Sequence, residues 1–536
     1  MSLKRVAIGL ATILLCVVLL FSPWGARALF YAAQSSVAGL DIEYASGGLG
    51  SNLKITRLRW QDAGTRIDVS GLSLDINWSC SMAFRLCLSE IKTEGLKVSV
   101  AARSDEQAPK EPLAKITLPI PVLVESLALH NISVDVEDTL KLDLKVVNAK
   151  LSMFQTLKIA QLSLLNVNIN FTASDNAQPG NLPLDIAQIA SWQYVPMTLP
   201  NLSIPLAVSV KAFQVEGLSI NQVQHAHTLL EVLNISSAFD LNPKGLALKH
   251  LQLVHALGEL QLSGTIAANL QHKIDMALNI QHESQFTQPL QLKLHAEGSQ
   301  QDANIQLSSS GALTLNAVLK ADLSASTLPL SVDIHWQNVA WPQPQASYSS
   351  QSGRLEIQGD LHQYTLKLDS DVAGADFPPT QLKVRAEGNQ QQISLQQLIA
   401  KTLDGNIALK GVLNISDILD WQGDLDFSQL KPQLLWPEIV ADIQGRVQHT
   451  LSYNGSNLGA EISELSASGT WQGYQLHARG SGAYDQALGV NIPLVTVSTG
   501  DNTLSLNGKL SPSQELMATV TLKADDFSQL SPSLRG

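Results

Sequence analysis

The chain has 536 residues, of which 45% are hydrophobic and 15% charged, against about 25% charged in an average domain. That balance excludes a charge-driven disordered chain. With 35 Lys plus Arg against 47 Asp plus Glu, the net charge of -12 offers no basic surface for nucleic acid. The 34 Gly and 22 Pro punctuate the chain without making it collagenous or low-complexity.

The first element is a membrane segment. From Val6 to Phe21 the sequence VAIGLATILLCVVLLF carries no charge, follows Lys4 and Arg5, and is closed by Pro23, Trp24 and Arg27. Extended to Trp24 it has about 19 residues, close to the ~20 that a helix needs to cross a bilayer. Trp24 then sits at the far interface, and Lys4 and Arg5 hold the N-terminus in the cytoplasm. Ala26-Arg27-Ala28 offers the alternative of a cleaved secretory peptide. An apolar core longer than the usual 7–15 residues, and an Arg within the cleavage site, favour an uncleaved signal anchor. Helix is expected to continue to about Val37, so residues 1–38 form the anchor and the remainder is exported on a single pass.

Cysteine usage fits export. Cys16 lies in the membrane segment, while Cys80 and Cys87 are candidates for a disulfide across a strand-turn-strand in an oxidising compartment. Two buried free thiols are the alternative. No metal site is expected, because neither further Cys nor paired His lies nearby.

From about residue 40 the dominant signal is period-2 alternation ending on glycine. Leu260-Gln-Leu-Ser-Gly264, Leu355-Glu-Ile-Gln-Gly359, Ile407-Ala-Leu-Lys-Gly411 and Leu504-Ser-Leu-Asn-Gly508 are examples. Such segments read as strands with one apolar and one wet face, the glycines supplying turns or bulges. Further helix is expected only over Leu184 to Trp192 and Ile415 to Trp421. Composition marks three seams: a linker or flexible loop over residues 102–112 (ARSDEQAPKEP), and surface loops near 173–183 and 341–350. The organisation is therefore the anchor, a first β module over 39–101 containing both cysteines, the linker, and one continuous β element over 113–536.

A sheet with one apolar face must cover it. Outer-membrane barrels need aromatic girdles, which a chain with 5% aromatics lacks, and too few helices exist to cover a sheet. Stacked sandwiches remain, as does a long sheet curled into a trough. About 450 residues divided into ~40 strands at ~4.8 Å would extend a single sheet to roughly 190 Å. Lining candidates are Leu262, Leu315, Ile357, Leu409 and Leu506, with Gln261, Thr314, Glu356, Ala408 and Ser505 on the opposite face. Alternation alone fits sandwich core and trough lining equally.

The N-terminal residues carry a resemblance. The Lys-Arg anchor, Val37-Ala-Gly-Leu-Asp-Ile42, Gly47-Gly48, Leu53-Lys-Ile-Thr-Arg-Leu-Arg-Trp60 and Gly71-Leu-Ser-Leu-Asp-Ile-Asn-Trp78, before Cys80 and Cys87, resemble the start of the TamB family. Leu199-Pro-Asn-Leu202, Phe377-Pro-Pro-Thr380 and Lys383-Val-Arg-Ala-Glu-Gly-Asn389 are similar to later family segments. TamB proteins are inner-membrane-anchored components of the translocation and assembly module, related to AsmA-like and bridge-type lipid transfer proteins. The resemblance implies a mostly β fold, an elongated, curled antiparallel sheet or β-taco behind one transmembrane helix in the bacterial inner membrane. It implies phospholipid movement to the outer membrane and assembly of autotransporters and other outer-membrane clients, with no enzyme activity and no cofactor. Family members are more than twice this long. Their C-terminal domain, which engages the outer-membrane partner TamA, has no counterpart in this sequence, which reads as an N-terminal fragment or a shortened homologue and leaves that partnership open.

Catalytic motifs are absent from the sequence: no HExxH, Walker loop, GxSxG or dinucleotide-binding pattern occurs. His225 and His227 share a strand face without a third ligand and read as solvated surface. Gly47-Gly48-Leu49-Gly50 opens no helix of a βαβ unit, so it does not read as a phosphate cradle. Two other functions fit the pattern: a scaffold that binds clients by β-augmentation, and a structural periplasmic spacer.

Overall fold

The alternating segments fold as strands. A computed structural model of the chain describes residues 18–19, 21–62, 64–101, 117–136, 139–171, 191–196, 206–222, 227–269, 271–281, 286–342 and 345–526. It divides into two units, Met1–Gln178 with Leu199–His282, and Pro179–Thr198 with Glu283–Gly536.

The first unit begins with helix α1 (Pro23–Ser36). Strands β1 (Leu40–Ser46), β2 (Leu53–Asp62) and β3 (Thr65–Ile76) lead to a short helix α2 (Trp78–Ser81), followed by β4 (Leu86–Thr93) and β5 (Gly95–Val100). Then come β6 (Val122–Val136), β7 (Leu140–Met153), β8 (Thr156–Phe171), β9 (Ala207–Gln222), β10 (His227–Asn242), β11 (Gly245–His255), β12 (Gly258–Ala267) and β13 (His272–Ile280). The second unit is a meander. Its strands are β14 (Leu290–Gly298), β15 (Ala303–Gly311), β16 (Thr314–Ala321), β17 (Leu330–Trp341), β18 (Tyr348–Gly359), β19 (Tyr364–Gly374), β20 (Thr380–Gly388) and β21 (Gln392–Thr402), then β22 (Gly405–Ile415), β23 (Leu419–Leu430), β24 (Ala441–Tyr453), β25 (Leu458–Trp471), β26 (Tyr474–Asp485), β27 (Gly489–Thr499), β28 (Asn502–Leu510) and β29 (Leu516–Lys523). Each strand of the meander pairs antiparallel with the next.

Three expectations change. The described residues form 29 strands rather than about 40, because strands such as β8, β9 and β10 run to 16 residues. The sheet of the first unit is not wholly antiparallel: β4 and β5 both pair parallel with β6, and β8 pairs parallel with β9. A parallel pair needs a connection long enough to return along the strand. Both polar seams, 102–112 and 173–183, fall in these two connections and outside the described residues. The segment Ile415 to Trp421 is not helix. Ile415 ends β22 and faces Leu419 at the start of β23, so its apolar spacing belongs to two strands of a tight hairpin. Among the described residues no helix is long and apolar enough to cross a membrane. Lys4, Arg5, Val6 and most of the apolar run lie outside those residues, as does Leu184 to Trp192 apart from its last two positions. His225 is also outside them, and His227 opens β10.

Three of the four quoted glycines lie inside strands rather than at their ends: Gly264 in β12, Gly411 in β22 and Gly508 in β28, whereas Gly359 ends β18. The polar stretch 341–350 is shorter as a loop than its composition suggests, since Trp341 still belongs to β17 and faces Tyr348 of β18.

A line of inserted residues crosses the first unit. In β6 the apolar residues step Leu127, Leu129, Ile132, Val134; in β8 Leu162, Leu164, Val167, Ile169; in β9 Phe213, Val215, Leu218, Ile220. Each series advances by two, then three, then two. The extra residues include Asn131, Asn166 and Gly217, with φ of 49°, 52° and 72°. Gly71 of β3 has φ 62°, and the strand formed by β4 and β5 is interrupted at Glu94, whose carbonyl accepts from Asn131 Nδ2 at 3.0 Å. Asn and Gly tolerate this region where branched residues do not. Because β6, β8 and β9 insert their residues at the same level, the apolar set returns to one face beyond the crease. Replacing Asn166 by Val is expected to cost about 1–2 kcal/mol, read as a lower urea midpoint for the first unit, with Asn166→Gly near neutral.

Candidate functional site

Side chains of directly opposed residues share a face, so the register traces each face strand by strand. In the first unit one row runs Ile42, Leu58, Val69, Leu96, Ile132, Leu144, Val167, Leu218, Val232. A neighbouring row continues through Val215, Ile235, Leu253, Leu260 and Leu278. The second unit repeats the pattern, with Leu319, Val332, Ile357 and Leu366 in one row and Leu398, Leu409, Leu425, Val447 and Leu465 in another.

The five lining candidates take their places on these faces. Leu262 lies between Leu251 and Met276 on the apolar face of the first unit. In the second unit Leu315 opposes Trp336, Ile357 opposes Val332 and Leu366, Leu409 opposes Leu398 and Leu425, and Leu506 opposes Val495 and Val520. Following the register through the meander puts these four on one face. All five are half-buried. Strands β12, β18, β19 and β26 contain no fully buried residue. A sandwich core would bury alternate side chains completely, so neighbouring aliphatics touch here without being dried.

The opposite face is polar and carries cross-strand hydrogen bonds and ion pairs of its own. Glu259 accepts from the Gln252 and Gln261 amides at 2.6 and 2.7 Å. Arg354 bonds Asp333 at 3.1 and 3.0 Å and Glu356 at 2.6 Å; Arg385 pairs with Asp369 at 2.8 Å, and Arg446 with Asp424 at 2.7 Å. Arg57 forks onto Asp68. The hydrogen bonds from Arg354, Arg446 and Arg57 hold Asp333, Asp424 and Asp68 below the usual carboxylate range. Such half-exposed pairs add little to stability; they keep this face wet. Among the described residues no group of three His, Cys, Asp or Glu is placed to hold a metal.

Two features of the apolar face escaped a reading based on aliphatic alternation. The Trp421 ring lies over Gly411 and Gly423 of adjacent strands, so that a Cβ on either would fall 2.7–2.8 Å from it. Trp421 Nε1 donates to His449 Nε2 at 2.9 Å. Trp336 repeats the arrangement over Gly353, with its Nε1 donating to Ser350 Oγ at 2.8 Å. The cross-strand glycines inside strands were the available signal, since a strand glycine marks close approach. Gly423→Leu should expel the Trp421 ring and cost about 1–3 kcal/mol by overpacking, detected as a shifted Trp421 resonance in fluorotryptophan-labelled protein together with a lower denaturant midpoint.

The N-terminal helix is tied to the first unit. Ser22 caps α1, its Oγ accepting from Gly25 N at 3.4 Å, and Pro23 starts it with a preset φ. At 14 residues α1 is about 21 Å long, matching the ~23 Å of the seven-residue β1. Gln34 Nε2 donates to Ile42 O at 3.4 Å and to Asp41 at 3.2 Å, covering the free edge of β1. Arg27 stands 5.6 Å from the Trp24 ring centroid and 5.1 Å from that of Tyr44. At the start of the helix, Gly50 N donates to Phe21 O at 3.1 Å, and a Cβ at Gly48 would fall 2.6 Å from that same oxygen. Phe21 packs edge-on against Trp78 at 4.5 Å, and Trp78 Nε1 donates to Leu49 O at 2.8 Å. The Gly47-Gly48-Leu49-Gly50 loop is thus a seat for the chain entering α1. Cys80 and Cys87 form a disulfide with Cα atoms 5.8 Å apart, closing the turn that carries Trp78. Gly48→Val is expected to unseat Phe21 and speed tryptic cleavage after Arg27, followed by mass spectrometry of the released fragment.

No solved structure matches the chain. It is 22% identical over 571 aligned residues to the translocation and assembly module subunit TamB of Haemophilus influenzae, an alignment covering 99% of this chain and 43% of that relative's length. The family model described as the TamB N-terminal domain matches residues 12–536. With nearly its whole length matched by that domain, the chain belongs to the TamB family.

Proposed function

We propose that the chain is the membrane-proximal part of an inner-membrane-anchored periplasmic protein whose apolar sheet faces shield acyl chains during phospholipid transfer between the inner and outer membranes. The observation that carries this reading is the set of opposed aliphatic rows on each unit, half-buried at Leu262, Leu315, Ile357, Leu409 and Leu506 and closed over only at positions such as Ile132, Val167, Val215 and Val232 of the first unit. An acyl chain of ~16 carbons set on such a row keeps about 0.8 kcal/mol per CH₂ that it would lose to water, roughly 12 kcal/mol in all. Each strand offers the same aliphatic surface ~4.8 Å from the last, so a lipid moves between near-equivalent positions without leaving shelter. The step involves no bond making, and the protein acts without catalysis or cofactor.

Supporting features lie at the N-terminus. The charge-free run from Val6 to Phe21 behind Lys4 and Arg5 serves as a single-pass anchor, with Ala26-Arg27-Ala28 inside α1 and Arg27 engaged between two rings. In the translocation and assembly module the same faces support assembly of autotransporters and other outer-membrane clients. A TamA-like outer-membrane partner would engage sequence beyond the portion of the relative that this chain spans.

Photo-crosslinkers at Leu262 and Leu409, each compared with its wet-face neighbour Ser263 or Lys410, test the reading in cells. Phospholipid adducts confined to the Leu positions are expected. Their absence there would sink the lipid face, and protein adducts instead of lipid would turn the function toward a client scaffold.

A further inference from the structure

The turn between α2 and β4 stands out among the exposed apolar residues. Met82 is 83% and Phe84 91% exposed, and Phe84 holds φ at 56°, a region large non-Gly residues rarely enter. The base beneath these side chains is firmly built. The Cys80–Cys87 disulfide closes it, Asn77 N donates to Cys87 O at 2.9 Å, and Cys87 N donates to Ser81 Oγ at 3.0 Å. A rigid base under a pair of outward apolar side chains in an unusual backbone conformation calls for a partner outside the fold.

Three observations identify that partner as a lipid surface. Phe21, the last residue of the charge-free run, rests on Trp78 at the foot of this turn, so Phe21 and the turn share one rim of the sheet. Other connections on that rim are apolar too: Ile120, before β6, is 46% exposed and Phe154, after β7, is 41% exposed, and Leu86 N bonds Pro121 O at 2.9 Å to tie these segments together. Charge is also asymmetric. In a chain of net charge -12, the rim connections 47–52, 77–85, 117–121 and 154–155 contain no Asp or Glu and one cation, Arg85, whereas Asp62 ends β2 at the opposite rim. An acid-free apolar rim with an Arg matches the interface of an anionic bilayer.

We propose that residues 82–85 form a disulfide-stapled finger that enters the headgroup region of the same bilayer as the N-terminal run, Met82 and Phe84 reaching the acyl boundary and Arg85 meeting lipid phosphate. The finger gives the first unit a second attachment, which fixes its rim against the membrane where a lone helix would leave it free to swivel. This inference rests on the anchor reading of residues 6–21 and is independent of lipid binding to the sheet face.

The test uses the full chain reconstituted in vesicles of phosphatidylethanolamine and phosphatidylglycerol, with benzoylphenylalanine placed singly at Val18, Asp62, Met82 or Phe84. Phospholipid adducts are expected at positions 18, 82 and 84, with position 62 at background. Lipid adducts at 18 while 82 and 84 stay at the level of 62 overturn the finger and leave the anchor standing. Protein adducts at 84 in place of lipid overturn it in favour of a protein partner. Background at all four positions overturns anchor and finger together. As a check independent of crosslinker chemistry, M82S/F84S should lose the bilayer-dependent protection of residues 78–88 from hydrogen exchange while retaining that of β2 and β3; unchanged protection overturns the proposal.

Discussion

Everything in this chain depends on the register that keeps aliphatic side chains on one face of each sheet. A slip of a single residue between two strands would exchange that strand's Leu and Ile for its Ser, Gln and Lys. The pairings prevent it with cross-strand aliphatic rows on one side and ion pairs such as Arg354 with Asp333 on the other. Neither interaction is large alone. Repeated across successive strands, they make the two-sided character of the sheet a collective property that no one position controls.

The crease in the first unit shows how strictly that constraint is held. Long strands twist, and a strand that bends must either lose pairing or take an extra residue. Here β6, β8 and β9 take it at the same level, with Asn or Gly adopting the left-handed conformation, and Ile132, Val167 and Leu218 resume the apolar row just beyond. On the second unit, glycines under Trp336 and Trp421 serve a related end. Removing a side chain from one strand lets an aromatic from the next lie flat, so bulk is added to the face without raising its profile.

At the N-terminal end of the first unit the same economy of polar groups appears. The free edge of β1 is covered by α1, the helix is seated by the glycine loop at 47–50, and Trp78 is held by a turn that the disulfide closes. These contacts join the entry of α1 to the first strands of the sheet.

Much was legible in the sequence because side-chain alternation is a local property. Period-2 patterning placed Leu262, Leu315, Ile357, Leu409 and Leu506 on apolar faces with Gln261 and Glu356 opposite, since neighbouring residues of a strand must point to opposite sides whatever the strand pairs with. Tertiary structure decided what depends on the neighbour. Parallel pairing at β4, β5 and β8, the hairpin at Ile415 and Leu419, glycines placed inside strands for Trp421, and a glycine loop that seats Phe21 all arise from contacts between residues far apart in sequence or across a turn. Alternation along one strand carries the face of each residue but not the identity or direction of the strand beside it, because hydrogen-bond pairing is made by backbone groups that every residue but proline shares.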